Sequence, residues 1–444
     1  MMFTKWQMHR LFIFGLYACQ TFSGTVTSPE EWMNQDPIAV LTDSEQGLEP
    51  LKGQDDFLSG RIAVPDEWIK LESVSFNHDS SSSDSDALNI RWNKNEDVVV
   101  PEWQRPDYYY LKTSLCSCGP GSPAAYIKDQ RITIEAVFSS SPEVTSAKIR
   151  ASSGFYGQLK NIAQKTVTFS DGISGEVMFQ MIGRTPEQIL SFYQDWHWYC
   201  ENINGTGSKE QNIGVSLNQI YIVLSEPQLP WTASGQREPW VTALRKSCVW
   251  AQGETTREGA AENIAKYLFL NAGGLYDIYH GAAYYGYPNF NMTGFLNNIP
   301  DVGMVNCFDM GRALVSFANA LGCNMTYRLS NPFGYLNCIF AIGRGWTNNP
   351  FYGNPDYNPN PIVDGDWGYS QGRSLFGIHA FSSISDNIFD ACLTVDTDDD
   401  PDYGPPFNET WMIDEPWVGY KLKVTDNYPP VNTRYPGSPS FSIY

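Results

Sequence analysis

The alternation of apolar and polar residues predicts a region of short strands over residues 87–224. Segments with a period of two are separated there by Gly, Pro, Ser and Asn, and strands at such spacing are typical of a β-sandwich. Within 194–200, Trp196, Trp198 and Cys200 share one face, which we assign to the core, while His197 lies on the opposite face. The candidate strands are 88–92, 98–100, 132–138, 147–151, 166–169, 176–182, 194–200 and 219–224.

From about residue 230 the apolar spacing becomes helical, with apolar residues three or four positions apart. The helical segments are 240–250, 258–270 and 307–321. Thr255 or Thr256 is placed to cap the second helix, and Gly322 closes the third, whose pattern is the strongest in the chain. A hairpin is expected within 377–395, so this region is predicted to be α+β. The buried stripe of the second helix comprises Ala261, Ile264, Ala265 and Leu268.

The first residues have the pattern of a secretory signal peptide. Lys5, His9 and Arg10 precede nine apolar residues at 11–19, and small and polar residues follow. This apolar run is shorter than the roughly 20 residues that a membrane span requires. We therefore expect residues 1–24 to be removed and the protein to be secreted.

The remaining chain divides into three predicted parts. Residues 25–68 are polar and acidic without periodicity, which indicates a partly disordered lead or a pro-segment. A β-sandwich-like domain is expected over 69–230 and an α+β domain over 231–444.

The net charge of the chain excludes some kinds of binding partner. The chain has 444 residues and a formal net charge of -20, and 42% of its residues are hydrophobic. An acidic surface does not suit nucleic acid, whose phosphates attract basic side chains. No stretch after the signal is long and apolar enough to span a bilayer. We expect extracellular protein or peptide substrates, or matrix components, as partners.

Sequons and cysteines agree with export. Glycosylation is expected at the four N-x-S/T sequons, Asn204, Asn291, Asn324 and Asn408. Of the nine cysteines, Cys19 leaves with the signal, so eight remain. In an oxidising compartment most of these could form disulfides, although their spacing assigns no pairing.

Acidic runs raise the question of calcium. The run at 396–402 includes Asp396, Asp398 and Asp400, and a Ser/Asp run covers 78–86. Neither has the spacing of an EF-hand loop, so we interpret both as solvated loops. Loosely bound calcium is the alternative, and no other cofactor is expected.

The candidate chemistry begins at Cys307, in the first turn of the strongest helix. Asn306 can cap that helix. Unpaired backbone N–H groups and the positive end of the helix dipole lie at such a position. This setting favours the thiolate, which is the form of cysteine that attacks carbonyl carbon. The same N–H groups could stabilise an oxyanion.

A thiolate needs a histidine partner, and His379 is the best placed. The other histidines after the signal are His78, His197 and His280. His379 begins a strand that turns at 385–386, and in that register Asp390 is its diagonal neighbour on the same face. Asp396 has the same parity but lies roughly 20 Å further along an extended strand. We therefore assign Asp390 as the carboxylate that orients the imidazole.

These residues resemble the transglutaminase-like superfamily, a relative of papain-type cysteine enzymes. The matching segments are VNCFDMGRALVSFANALGC at 305–323 and GIHAFSSISDNIFDACLTVD at 377–396. The resemblance covers roughly 230–400 and implies that Cys307 is the nucleophile, His379 the base and acid, and Asp390 the orienting carboxylate. The preceding β-rich region looks like the sandwich modules that often precede such domains.

The chain departs from the family pattern at two points. Phe389 stands where a Trp commonly precedes the family's Asp. In addition, no Gln or Trp can be matched to the family's second oxyanion donor.

Three functions follow from these patterns. The first is a secreted cysteine enzyme that performs acyl transfer or amide hydrolysis through a Cys307 thioester. The second is a non-catalytic acidic matrix protein that keeps the fold and binds ions or mineral. The third is a cysteine protease with a pro-segment at 25–68.

Overall fold

The computed structural model describes the greater part of the chain after residue 66. The described ranges are 67–79, 85–106, 121–233, 238–337, 339–351, 373–385, 387–394, 408–410, 416–425 and 439–444. Residues Pro65–Tyr444 form one compact unit. The predicted signal and nearly all of the predicted lead lie outside the described residues, as do Asp396, Asp398 and Asp400.

The first part of this unit consists of strands. They are β1 Ile69–Ser75, β2 Arg91–Asn93, β3 Glu96–Asp97, β4 Trp103–Gln104, β5 Gly121–Ile127, β6 Thr133–Ser140, β7 Ser146–Ser153, β8 Ile162–Thr168, β9 Ile173–Gln180, β10 Leu190–Glu201 and β11 Gln211–Val223. One sheet has the order β4-β1-β6-β9 and another the order β5-β11-β10-β7-β8. Within these sheets β5 runs parallel to β11, and the other pairings are antiparallel.

Aromatic side chains fill the core of these two sheets. Trp196, Trp198 and Cys200 are fully buried, which confirms the predicted face of β10. Phe138 and Phe179 meet Trp198 edge to face, with ring centroids 5.6 and 5.4 Å away. Such contacts between buried rings add to the stabilisation that burial itself provides.

Some strands differ from the sequence prediction for local reasons. β1 was missed because a bulge between Leu71 and Ser73 breaks its period of two. β5 was missed because its two faces are both buried, so the segment does not alternate between apolar and polar residues. Tyr126 packs in the core of the two sheets, and Ala125 packs in the core that the helices of the second part form. The predicted strand at 98–100 is wrong, because the structure has no strand there and its apolar side chains are largely exposed.

The second part mixes helices and strands, and its class is α+β as predicted. Its elements are α1 Val241–Trp250, α2 Arg257–Leu270, β12 Gly274–Tyr276, α3 Met292–Asn298, β13 Gly303–Val305, α4 Cys307–Ala320, β14 Thr326–Ser330, β15 Gly334–Tyr335, β16 Ile339–Ala341, β17 Gly345–Thr347, β18 Leu375–Phe376, β19 His379–Ile384, β20 Asn387–Phe389, β21 Leu393–Thr394, β22 Asn408–Thr410 and α5 Pro416–Val424. The order β14-β19-β20-β22 forms one sheet and β17-β16-β21 another, and β12 pairs in parallel with β13.

Helix α4 lies at the centre of this part. Every residue in it except Phe308 is buried, and it packs against β19, α1 and α2. The three predicted helices are confirmed, and the Thr256 side chain caps α2 by accepting the Gly259 N–H. The predicted α2 stripe is buried, and α3 and α5 were missed. Among the described helices, none is long and apolar enough to cross a membrane.

Candidate active site

Cys307 is the first residue of α4, and the chain before it forms a complete helix cap. The Asn306 side chain accepts the backbone N–H groups of Phe308 at 2.9 Å and Asp309 at 3.2 Å. The Asp309 carboxylate returns to accept the Asn306 N–H at 2.9 Å, which completes a capping box. The predicted cap is therefore confirmed. The Cys307 N–H has no acceptor among the described residues and is free to donate to a bound group.

Asp309 also fixes the loop that crosses the start of α4, which we call the cradle loop (277–287). Its carboxylate is buried and accepts the backbone N–H groups of Tyr284, Tyr285 and Gly286, the Tyr285 bond being 2.7 Å long. Four backbone donors, including Asn306, thus converge on one side chain. The cradle loop is held against the helix start by these bonds.

Asp277 anchors the other half of the cradle loop. This buried carboxylate accepts the backbone N–H groups of Tyr279 at 3.0 Å and Ala282 at 2.9 Å. The Asn306 amide donates to the Gly281 carbonyl at 2.8 Å. The residue that caps α4 is therefore also bonded to the cradle loop, which couples the loop to the position of the thiol.

The cradle loop approaches α4 so closely that Gly286 has no room for a side chain. A Cβ on Gly286 would lie 2.6 Å from the Phe308 carbonyl carbon and 2.7 Å from the Asp309 nitrogen. These are backbone atoms, which cannot rotate away.

We expect Gly286→Ala to lower the free energy of unfolding by about 1–3 kcal/mol, as overpacking does. Urea unfolding measures this, with Gly377→Ala as the matched control because a Cβ there meets nothing within 4 Å. Equal stability of the two variants would contradict the close approach.

His379 and Asp390 meet in the register that the sequence predicts. Ile384 pairs with Asn387 and Ser382 with Phe389, so two residues form the turn between β19 and β20. His379 Nε2 lies 2.7 Å from Asp390 Oδ2, and both side chains are buried. The other carboxylate oxygen of Asp390 accepts the backbone N–H groups of Cys392 and Leu393. Asp390 is therefore fixed in place before it orients the imidazole.

The second ring nitrogen of His379 remains open. Nδ1 is buried and makes no hydrogen bond within the described part of the chain. Burial lowers the pKa of His379, but Asp390 and then Cys307 raise it, so the pKa is about 9 instead of its ordinary 6.5. The raised pKa favours the charged imidazolium over the neutral ring. An imidazolium beside a thiol stabilises the thiolate.

Tyr420 of α5 is a further member of the site that the sequence did not reveal. Its hydroxyl donates to Asp390 Oδ2 and lies 3.3 Å from His379 Nε2. Burial and then Asp390 raise the pKa of Tyr420 well above its ordinary value, so it remains a proton donor. Tyr420 lies 30 residues after Asp390 in a segment without a strong pattern, so only the folded chain brings the two together.

The other histidines lie outside this site. His280 is exposed in the cradle loop, and His197 lies 3.3 Å from Asp195 on the outer side of β10. His78 bonds to Thr133 at 3.0 Å.

The Ser/Asp run is described at its two ends. The ligand atoms of His78, Asp79 and Asp86 lie within 4.8 Å of one another. The Asp86 carboxylate accepts the backbone N–H groups of His78, Asp79 and Ala87, and these bonds offset the cost of burying it.

The described cysteines differ in their surroundings. Cys200, Cys248, Cys307, Cys323 and Cys392 are buried free thiols, so none of these five forms a disulfide. Burial raises the pKa of Cys200 to about 11 and that of Cys323 to about 12, which makes them unreactive core residues. Cys116, Cys118 and Cys338 lie outside the described residues.

The sequons also differ in their surroundings. Asn324 is exposed after α4, and Asn291 is half-buried and caps α3. The Asn204 amide nitrogen donates to Glu67 at 3.1 Å, and a glycan on that nitrogen would break this bond. Asn408 begins β22. Glycosylation at the four positions stays a prediction, and Asn324 is the most open of those whose side chains are described.

Comparison with known proteins gives little further guidance. No protein-family model matches the chain, and no curated protein matches it. The fold is similar to the crystal structure of red sea bream transglutaminase, with a TM-score of 0.31 and 9% sequence identity. The match covers 64% of this chain and 48% of that enzyme, so this chain spans about half of its length. A likeness this slight carries no argument about activity.

Proposed function

We propose that the protein is a secreted transglutaminase-like cysteine enzyme that performs acyl transfer or amide hydrolysis on extracellular proteins or peptides. The observation that supports this most strongly is the buried pair of His379 and Asp390, whose Nε2 and Oδ2 atoms are 2.7 Å apart. The Nδ1 atom of the same imidazole is buried and makes no hydrogen bond within the described residues. The Cys307 thiol is close enough to raise the pKa of the ring.

In the proposed reaction the Cys307 sulfur attacks the carbonyl carbon of a glutamine side chain or a peptide bond. An S–C bond forms, the C–N bond breaks, and the His379 imidazolium gives its proton to the leaving ammonia or amine. An amine or water then attacks the thioester and gives its proton to His379, and the thiolate leaves. Asp390 holds the imidazole in the required orientation throughout.

Incorporation of a labelled primary amine into a glutamine-containing protein tests this function. Wild type is expected to incorporate label, and Cys307→Ala to reduce incorporation to the uncatalysed level. Cys248→Ala is the matched control, because this cysteine is a buried core residue and no described histidine contacts it. Assays with and without calcium show whether the activity depends on this ion. Equal incorporation by wild type and Cys307→Ala would contradict the proposal.

A non-catalytic matrix protein is the second candidate, and one observation favours it. Cys307 is only 3% exposed and His379 is fully buried, so the folded chain presents little of the thiol to a substrate. In that case the net charge of -20 would serve to bind cations or mineral. Calcium or mineral binding that is unchanged in Cys307→Ala, together with no amine incorporation by wild type, would support this second candidate.

A further inference from the structure

Acyl transfer places negative charge on the former carbonyl oxygen, and a site with two preorganised donors stabilises this charge far better than one donor alone. The Cys307 N–H is one free donor at the start of α4. The sequence offers no Gln or Trp for the second position, so the folded chain must provide another group if the site is active. Tyr276 is the candidate that the geometry selects.

The Tyr276 ring lies between the segments that carry the thiol and the imidazole. In the parallel pairing of β12 and β13, Tyr276 is opposite Val305, two residues before Cys307. The ring stacks on Phe376 with centroids 5.8 Å apart, and Phe376 lies 6.2 Å from the His379 ring. The phenol is thus held in one orientation by its backbone pairing and by its stacking partner.

The hydroxyl of Tyr276 has no partner within the described residues, although the residue is only 3% exposed. It lies 3.9 Å from the position that a Cβ on Gly281 would occupy, beside the part of the cradle loop bonded to Asn306. The hydroxyl is therefore available to donate to a ligand oxygen bound beside the cradle loop. Burial and then Cys307 raise the pKa of Tyr276 well above its ordinary value, so it keeps its proton.

We propose that the Tyr276 hydroxyl is the second oxyanion donor of the acyl-transfer reaction, an inference that rests on the proposed function. When the Cys307 thiolate attacks, the S–C bond forms and the carbonyl π electrons move to oxygen. The Tyr276 O–H and the Cys307 N–H both donate to this oxygen without transferring their protons. The carbonyl re-forms as the leaving group departs, and both donors are unchanged.

The test compares acylation with alkylation of the same thiol. Tyr276→Phe keeps the ring on Phe376 and removes only the hydroxyl. With p-nitrophenyl acetate, the burst of p-nitrophenol from this variant is expected to be about 10²-fold slower than in wild type, because one oxyanion donor is lost. Alkylation of Cys307 by iodoacetamide forms no oxyanion and is expected to be unchanged. Tyr279→Phe, at an exposed position in the cradle loop, is the matched control.

Each outcome is decisive. A burst as fast as in wild type would overturn the role of Tyr276 while leaving the proposed function intact. Equal slowing of the burst and of alkylation would also overturn it, because Tyr276 would then support the thiol rather than the oxyanion. If wild type and Cys307→Ala release p-nitrophenol alike, the proposed function fails and this inference fails with it. Thermal unfolding shows whether Tyr276→Phe is folded, and the alkylation rate shows whether its thiol is intact.

Discussion

Replacing Asp390 by asparagine is expected to slow acyl transfer by about 10³- to 10⁴-fold, measured as the rate of amine incorporation. The asparagine amide can present its NH₂ group to His379 Nε2, where the carboxylate oxygen now lies 2.7 Å away. That contact favours the neutral tautomer with its proton on Nδ1, which cannot accept a proton from Cys307. The reaction therefore loses its base even though the side chain keeps its size.

The same substitution is also expected to change how the free energy of unfolding depends on pH. Burial lowers the pKa of His379, but Asp390 and Cys307 raise it above 6.5 to about 9. The folded chain thus binds this proton more tightly than the unfolded chain. The resulting stabilisation is fully present below about pH 6.5 and is lost as the pH rises through about 9. In Asp390→Asn burial dominates, so the loss of stability across this window is expected to shrink.

Urea unfolding of both proteins near pH 6 and near pH 9 measures this difference. Asp301→Asn, which changes an exposed carboxylate, is the matched control and should behave as wild type. The account of the His379–Asp390 pair would be contradicted if Asp390→Asn kept the wild-type rate. If the stability of Asp390→Asn depended on pH as that of wild type does, Asp390 would not be the group that raises the pKa of His379.

Removing the Asp309 carboxylate is the second large effect that we expect. Asp309→Ala leaves the backbone N–H groups of Tyr284, Tyr285, Gly286 and Asn306 without their acceptor. An unpaired buried donor costs about 1–3 kcal/mol, and water can reach some of these four. We therefore expect the free energy of unfolding to fall by about 3–5 kcal/mol.

Asp309→Ala is expected to lose activity as well as stability. Because the cradle loop and the cap of α4 share Asp309, amine incorporation should fall at temperatures where Asp309→Ala is still folded. Glu262→Ala, on the surface of α2, is a suitable control for removal of a carboxylate. A variant as stable as wild type would show that the cradle loop does not depend on this carboxylate.

The parts of the site that the sequence predicted depend on local pattern. The start of α4 follows from Asn306, from the apolar spacing after Cys307, and from Gly322. The register of His379 and Asp390 follows from a turn of two residues, since a short hairpin fixes which positions face each other. Neither step requires knowledge of distant contacts.

The parts that the sequence did not predict depend on contacts between distant segments. Tyr420 reaches Asp390 from a helix 30 residues further along, and Tyr276 reaches the site through the pairing of β12 with β13. Nothing in the sequence around Asp277 distinguishes it from an ordinary loop residue. Its backbone partners Tyr279 and Ala282 have no side-chain signature in the sequence.

The central claim is that Cys307 is a nucleophile activated by His379, and alkylation of the intact protein tests it most directly. Iodoacetamide is applied to the folded, non-reduced protein over a range of pH, and the modified cysteines are identified by peptide mapping. We expect Cys307 to be modified faster than the other described cysteines, and His379→Gln to remove that advantage. The claim is contradicted if Cys307 stays unmodified, or if it reacts equally fast in wild type and in His379→Gln.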